Sequence, residues 1–137
     1  MLPCAGIIVI DDNKTILVKS KEGHYSFPKG KREKHESYLE TGIRELEEET
    51  GIKSSDIIID SSYSIDEISN KGNPNIRYFV GILRSDHNHN TFTFDPEELD
   101  EVIWITFEEI MKLPNDKLKE SRKTVFRKVL DIIKYQI

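Results

Sequence analysis

Residues 30–52 read GKREKHESYLETGIRELEEETGI, and what this stretch folds into decides the rest of the chain. Its second half, Ser37 to Thr50, carries the clearest helical signal. Ser37-Tyr38-Leu39-Glu40 has the form of a capping box, with Ser37 as N-cap and Glu40 at the third helical position. Gly51 stands where a helix stops on a left-handed residue. At about 100° per residue, Leu39, Ile43 and Leu46 fall within about 60° of one another and form the stripe to be buried. Glu45, Glu48 and Glu49, spaced i, i+3 and i+4, share a different face. Glu40 and Glu47 point toward solvent, and Glu36 precedes the helix.

Like charges four residues apart destabilise a helix by a few tenths of a kcal/mol per pair. Arg44 pairs with Glu48 at i+4 but is too little to neutralise three carboxylates. A hard divalent cation is enough. Mg²⁺ prefers oxygen ligands and is held by one or two carboxylates together with substrate phosphates. On periodicity alone, a metal-holding face and a solvated glutamate-rich face both remain open.

Outward from the helix, the flanking elements are mostly strands. Cys4–Ile10 and Thr15–Ser20 are β-rich runs joined by Asp11-Asp12-Asn13-Lys14, which reads as a hairpin. Residues 23–34 contain glycines, a proline and the cations Lys29, Lys31, Arg32 and Lys34, and read as a loop. Strands are predicted at Asp56–Ile59, Tyr63–Ile68, Ile76–Leu83, Thr91–Phe94 and Val102–Ile105. A short helix is expected at Phe107–Lys112 and a last one from about Asp116 to Lys134, striped by Leu118, Val125, Phe126, Val129, Leu130 and Ile133. This order gives an α+β fold, a mixed sheet with helices packed on it. His24, His35, His87 and His89 show no ligand spacing, and His87-Asn88-His89 reads as a loop.

The chain has 137 residues, 25 acidic and 20 basic, for a net charge of −5. That length fits one domain, residues 1–137. The single cysteine, Cys4, excludes an internal disulfide. The apolar start, Met1 to Ile10, has no basic n-region or cleavage signal and reads as a strand, so a cytoplasmic protein without a membrane span is expected. The total charge argues against coating nucleic acid by bulk electrostatics. It hides an asymmetry, however. Residues 111–137 hold eight basic and three acidic groups, net +5, against net −10 for residues 1–110.

The spacing from Gly30 is specific: five residues, Glu36, seven residues, then Arg44-Glu45-Leu46-Glu47-Glu48-Glu49-Thr50-Gly51-Ile52. This resembles the Nudix box, G-x5-E-x7-R-E-U-x-E-E-x-G-U with U apolar, at every defined position. The resemblance implies an α/β/α sandwich around a mixed sheet. It also implies Mg²⁺- or Mn²⁺-dependent hydrolysis of a nucleoside diphosphate linked to another group. By the same resemblance Glu45, Glu48 and Glu49 hold the metals, and Glu45 often serves as general base. Lys29 offers a backbone carbonyl to metal. Gly30, Glu36 and Gly51 complete the structural motif, with Glu36 and Arg44 as partners that orient the loop and helix and Arg44 grouped with Glu45 and Glu48 as catalytic. Outside the box, Glu97 or Glu98 matches a further metal-binding or basic carboxylate, and Glu98 is taken here. A Nudix-fold sensor without activity is the non-enzymatic alternative. Sensors of that kind commonly lose box glutamates, and all are present here.

The flanks bear on the substrate. Phe27-Pro28-Lys29-Gly30-Lys31 resembles the approach to the box in hydrolases of dinucleoside polyphosphates and of mRNA caps, with Lys29 and Lys31 set to meet phosphates. Arg77-Tyr78-Phe79 resembles the aromatic strand of asymmetric diadenosine tetraphosphate hydrolases, which puts Arg77 on phosphate and Tyr78 stacked on a base; a strand in which Tyr78 and Phe79 alternate between core and surface is the other open reading. Dinucleoside polyphosphates such as diadenosine tetraphosphate are therefore the first expectation. An mRNA cap or RNA 5′ end is the alternative, for which the basic final helix is either a guide or simply the solvated face of a core-packing helix. Diphosphoinositol polyphosphates are a third. Trp104 is expected in the core. Oligomeric state has no signal.

Overall fold

The structure, a computed structural model, describes residues 2–84 and 89–134; His87 and the expectation attached to it lie outside these. Strand β1 (Cys4–Asp11) is the spine. Its positions Ala5 to Ile10 are all apolar or glycine and almost free of solvent, as expected of a strand buried on both faces. A tight turn at Asp12-Asn13, with Asp12 at φ 55°, leads to β2 (Lys14–Ser20). Then come β3 (Tyr25–Ser26), β4 (Lys29–Lys31), α1 (Tyr38–Thr50), β5 (Ile57–Ile59), β6 (Ile65–Ile68), β7 (Pro74–Leu83), β8 (Leu99–Thr106), α2 (Phe107–Lys112) and α3 (Glu120–Lys134).

The eight strands form one mixed sheet. β7 runs parallel to β1 along nearly its whole length, from Cys4↔Ile76 to Ile10↔Ile82. The opposite edge of β1 is shared. β2 pairs with it only at the hairpin, Ile10↔Thr15 and Asp11↔Lys14, and then diverges, its far edge paired with β8 throughout and its near edge taking β3 at Val18 and Lys19. The vacated edge takes β4, Cys4↔Lys31 to Gly6↔Lys29. This split is what places the cationic segment beside the start of β1. β5 and β6 both pair antiparallel with β7.

One face of the sheet packs on α1 through Ile7, Val9, Leu46, Ile52 and Phe79. The other packs on α2 and α3 through Ile8, Phe27, Tyr78, Ile110, Phe126 and Val129. The result is the expected α/β/α sandwich. Three expected elements differ. Residues 23–34 are not all loop, because β3 and β4 pair through backbone groups, which the apolar pattern of a sequence does not register. Thr91–Phe94 is not a strand. Phe92 and Phe94 instead pack on the α1-side core, and the segment is tied to the helix end by Thr93 N–H to Thr50 O at 3.0 Å. α3 begins at Glu120, since Lys117 and Leu118 first turn back onto the carbonyl of Pro114.

Candidate active site

α1 is fixed at both ends. Glu40 N–H donates to Ser37 Oγ at 3.1 Å and Ser37 N–H donates to Glu40 Oε1 at 2.8 Å, which completes the capping box. Gly51 closes the helix at φ 84°, its N–H on Glu47 O at 2.9 Å. That backbone conformation favours glycine, and a Cβ there would come within 3.2 Å of Thr93. The buried side chain of Leu46 anchors the middle of the helix.

Arg44 is the hub of the charged face. Its Nε donates to Glu36 Oε2 at 2.7 Å and its Nη2 to Glu36 Oε1 at 3.1 Å, a bidentate pair. Nη2 also reaches Lys31 O at 3.0 Å. Nη1 donates to Glu45 Oε1 at 2.9 Å and Glu48 Oε1 at 3.2 Å. Glu36 in turn accepts from Glu33 N–H and Thr41 Oγ1, both at 2.9 Å. The hydrogen bonds from Arg44, helped by that amide and hydroxyl, hold the Glu36 carboxyl down at about 2. This network locks the segment before the helix to the helix itself and sets where Glu45 and Glu48 sit.

Glu45 lies over Gly30. A Cβ built on Gly30 would collide with the Glu45 carboxyl carbon, so the glycine leaves the space that the carboxylate fills. Burial first, and the charge of Glu48 second, raise the Glu45 carboxyl above its ordinary value, against the pull of Arg44. Glu49 accepts Lys29 N–H at 3.0 Å. Burial pushes its carboxyl up to about 8, with Glu45 and Glu98 adding repulsion and Lys29 opposing them. Glu48 is the exposed member of the three.

These side chains fit a divalent cation. Two half-buried carboxylates held away from their ordinary ionisation, one seated in a glycine cradle, are oxygen donors short of positive charge. Among the described residues no three acidic, histidine or cysteine side chains already form a closed metal cage, and Arg44 bridges Glu45 and Glu48 instead. Glu45, Glu48, Glu49 and the adjoining Lys29 backbone would hold the ion.

A family model for the NUDIX domain matches residues 2–129. The chain belongs to the NUDIX domain family. It is 32% identical over 129 residues to a protein of Acanthamoeba polyphaga mimivirus named for mRNA decapping, covering 90% of this chain and 36% of that one. It is 31% identical over 144 residues to the RNA pyrophosphohydrolase of Pelagibacter ubique, covering 93% and 90%. The chain thus spans about a third of the first relative and nearly all of the second. Its fold is similar to that of a C. elegans Ap4A hydrolase, with a TM-score of 0.77 and 18% identity over 95% of this chain and 97% of that one. The Nudix box on α1 is therefore carried by a NUDIX domain, and Nudix hydrolases generally use divalent metals.

The fold brings Lys29, Gly30, Glu36, Arg44, Glu45, Glu48 and Glu49 together, while Gly51 ends α1 against Thr93 and takes no part in that cluster. Glu98, in the turn before β8, adds repulsion to both Glu45 and Glu49, while Glu97 is not among the main influences on either. Lys31 is exposed on β4. Tyr78 corrects an expectation: it is fully buried and its ring packs edge-on against Phe27, so no face is left for a base. Arg77 is likewise committed elsewhere. It pairs with Asp66 at 3.0 and 3.2 Å and lies 4.9 Å from the Tyr38 ring centre, so its charge serves the start of α1. The basic final helix is also partly structural. Arg122 donates to Tyr25 O, Lys123 binds Leu113 O and Asn115 Oδ1, and Arg127 pairs with Glu120. Trp104 is only partly buried and packs on the α1-side core, its indole N–H on His89 O. Sequence reasoning missed the buried Glu67. The only trace of it is that Glu67 shares a strand face with Ile65, two positions away. Among the described residues no helix is long and apolar enough to cross a membrane.

Proposed function

We propose that this Nudix domain is a Mg²⁺- or Mn²⁺-dependent pyrophosphohydrolase that cleaves a phosphoanhydride at the 5′ end of RNA, as a cap or a 5′ polyphosphate. The single observation that carries the hydrolase reading is the pairing of a cradled Glu45 with a half-buried, proton-holding Glu49 on one turn of α1. When bound, a divalent cation there offsets charge developing on phosphate oxygens and makes a nearby water more acidic.

The chain's own groups do the rest. Glu36 fixes Arg44, and Arg44 fixes the Glu45 carboxylate at 2.9 Å, so the base is aimed before substrate arrives. The raised Glu45 carboxyl is suited to taking a proton from the attacking water. Water oxygen bonds to phosphorus, the bridging P–O bond breaks, and the departing phosphate keeps that electron pair. Lys29 and Lys31 project from β4 on the side opposite Gly30 and Glu45, and their long cationic side chains bring positive charge to that edge of the site, where it meets the polyphosphate chain.

RNA ranks first because the full-length relative at 31% identity is named as an RNA pyrophosphohydrolase and the mimivirus relative is named for decapping. Burial of Tyr78 removes the stacking residue on which the dinucleoside polyphosphate reading leaned. That second reading, with diadenosine tetraphosphate as the type substrate, retains the two lysines of β4. The test is product release with Mg²⁺ from 5′-triphosphorylated RNA, capped RNA, diadenosine tetraphosphate, diphosphoinositol pentakisphosphate and nucleoside triphosphates. Preferred turnover of an RNA is expected. Preference for diadenosine tetraphosphate reverses the ranking, and no turnover with metal binding intact leaves a sensor.

A further inference from the structure

The sheet register shows where α1 is held. Gly30, Ala5, Arg77 and Asp66 stand in one row across β4, β1, β7 and β6. Side chains along a strand alternate between faces, and Ile7 and Phe79, two positions on from Ala5 and Arg77, pack on the α1 side. The row therefore faces α1. At one end of it Glu45 fills the space over Gly30. Toward the other end the Arg77 guanidinium lies over the Tyr38 ring, 4.9 Å from its centre. Tyr38 and Glu45 are two helical turns apart in sequence, so they project from the same side of α1, about 10.5 Å apart along its axis. Gly30 and Arg77 are separated by two strand spacings, about 9.6 Å. Helix rise and strand spacing match, so α1 crosses the strands with one contact at each end of the same two turns.

Between these contacts the helix meets the sheet on glycine. A Cβ on Gly42 would come within 3.1 Å of the Gly6 carbonyl oxygen, so backbone lies on backbone there. Gly30 likewise offers Glu45 no side chain to lock against. Such contacts permit close approach but resist sliding weakly. Arg77 supplies what they lack. Its Nε and Nη2 donate to Asp66 at 3.0 and 3.2 Å, a two-point pair that fixes the plane of the guanidinium. A cation held over an aromatic face is attracted to it, which ties the ring to β7. Arg32 lies over the same ring at 5.6 Å, and its Nη1 donates to Glu36 O at 2.6 Å. Leu2 N–H donates to the Tyr38 hydroxyl at 3.0 Å.

We propose that Arg77, anchored by Asp66, is a positioning residue for the active site: by clamping Tyr38 it sets where α1 lies across the sheet, and so where Glu45 sits over Gly30. A displacement of about half an ångström is enough to matter for a carboxylate at such a site. The inference rests on the metal-holding reading of the glutamate face and not on the identity of the substrate.

The test is the Mn²⁺ affinity of the whole chain, read from the paramagnetic resonance signal of free Mn²⁺, for Arg77→Gln, Glu45→Gln and the double variant. Circular dichroism checks that each is folded. Arg77→Gln is expected to weaken binding about fivefold in the wild-type background and by less than about twofold once residue 45 is changed, because Arg77 acts through that carboxylate. Tyr38→Leu, which removes the ring, is expected to match Arg77→Gln, and Tyr38→Phe, which keeps it, to match the wild type. Ile110→Val loses stability in the core on the other side of the sheet and is expected to bind Mn²⁺ as the wild type does. In hydrolysis of 5′-triphosphorylated RNA, Arg77→Gln lowers kcat while KM holds. Unchanged Mn²⁺ affinity in Arg77→Gln overturns the proposal. So does a loss that persists in full in the Glu45→Gln background, or an equal loss in Ile110→Val. A raised KM with kcat intact places Arg77 on substrate and also overturns it. Absence of RNA hydrolysis by the wild type defeats the RNA reading, and the Mn²⁺ cycle still decides the clamp. Absence of Mn²⁺ binding by the wild type defeats the metal reading and the clamp's role with it.

Discussion

Two glutamates of the same segment are driven in opposite directions, and each gives a pH prediction. Glu36 is depressed to about 2 by Arg44. Its stabilising contribution is complete above about 4.5, the value for an unpaired carboxyl, and is lost as pH falls toward 2. Thermal unfolding followed from pH 6 to pH 2.5 is expected to show a smaller loss of stability in Glu36→Gln, which starts from a lower value. Glu49 is the reverse case. Its folded carboxyl titrates at about 8. Between about 4.5 and 8 the metal-free folded chain keeps a proton that the unfolded chain has released, so this group destabilises the fold increasingly as pH rises. Metal-free Glu49→Gln is therefore expected to melt higher than the wild type at pH 8, with the gap closing toward pH 4. The same substitution is expected to lower turnover by about a hundredfold or more, as loss of a charge-positioning group does. Near-normal activity would remove Glu49 from the site.

At the scale of the element, the box works because β4 and α1 touch through an absent side chain. In Gly30→Ala the new Cβ meets the far end of the flexible Glu45 side chain rather than backbone. The chain is expected to fold with circular dichroism unchanged, while kcat falls because Glu45 is displaced from its contact with Arg44. Recovery of wild-type kcat in that variant would show that the cradle does not position the base. Ser37→Ala tests the other end. Losing the N-cap acceptor is expected to cost about 1 kcal/mol of unfolding free energy by denaturant titration. The helix itself was legible from residue types: the capping box, the stop at Gly51 and the stripe through Leu46 are local and periodic. β4 was not legible, because Lys29-Gly30-Lys31 has no apolar alternation and is a strand only through the edge that β2 leaves open on β1. Thr91–Phe94 failed in the opposite sense. Its Thr-Phe alternation suits a strand, but both rings are used to cap the core beside α1.

For the molecule as a whole, Mg²⁺ at about a hundredfold over its dissociation constant is expected to raise the unfolding free energy by about 2.7 kcal/mol, and to do so less at pH 6, where Glu49 holds its proton. No dependence of the melting temperature on Mg²⁺ at pH 8 would count against the metal face. Tyr78→Phe is expected to lose about 1 kcal/mol with KM unchanged, since the hydroxyl serves Glu67 inside the core. By itself the sequence determined the α+β order, the amphipathic helix and the three-glutamate face, because each depends on spacing along the chain. It also determined membership of the Nudix family, through nine typed positions within 23 residues. Only the tertiary structure decided which charges remain free for substrate. Arg77, Arg122, Lys123 and Arg127 carry the same charge as Lys29 and Lys31, and nothing along the chain tells the two groups apart. Their availability depends on partners brought from 7 to 97 residues away, such as Glu120 for Arg127 and Tyr25 for Arg122. Pairing across a fold is set by packing and register, which have no period in the sequence to reveal them.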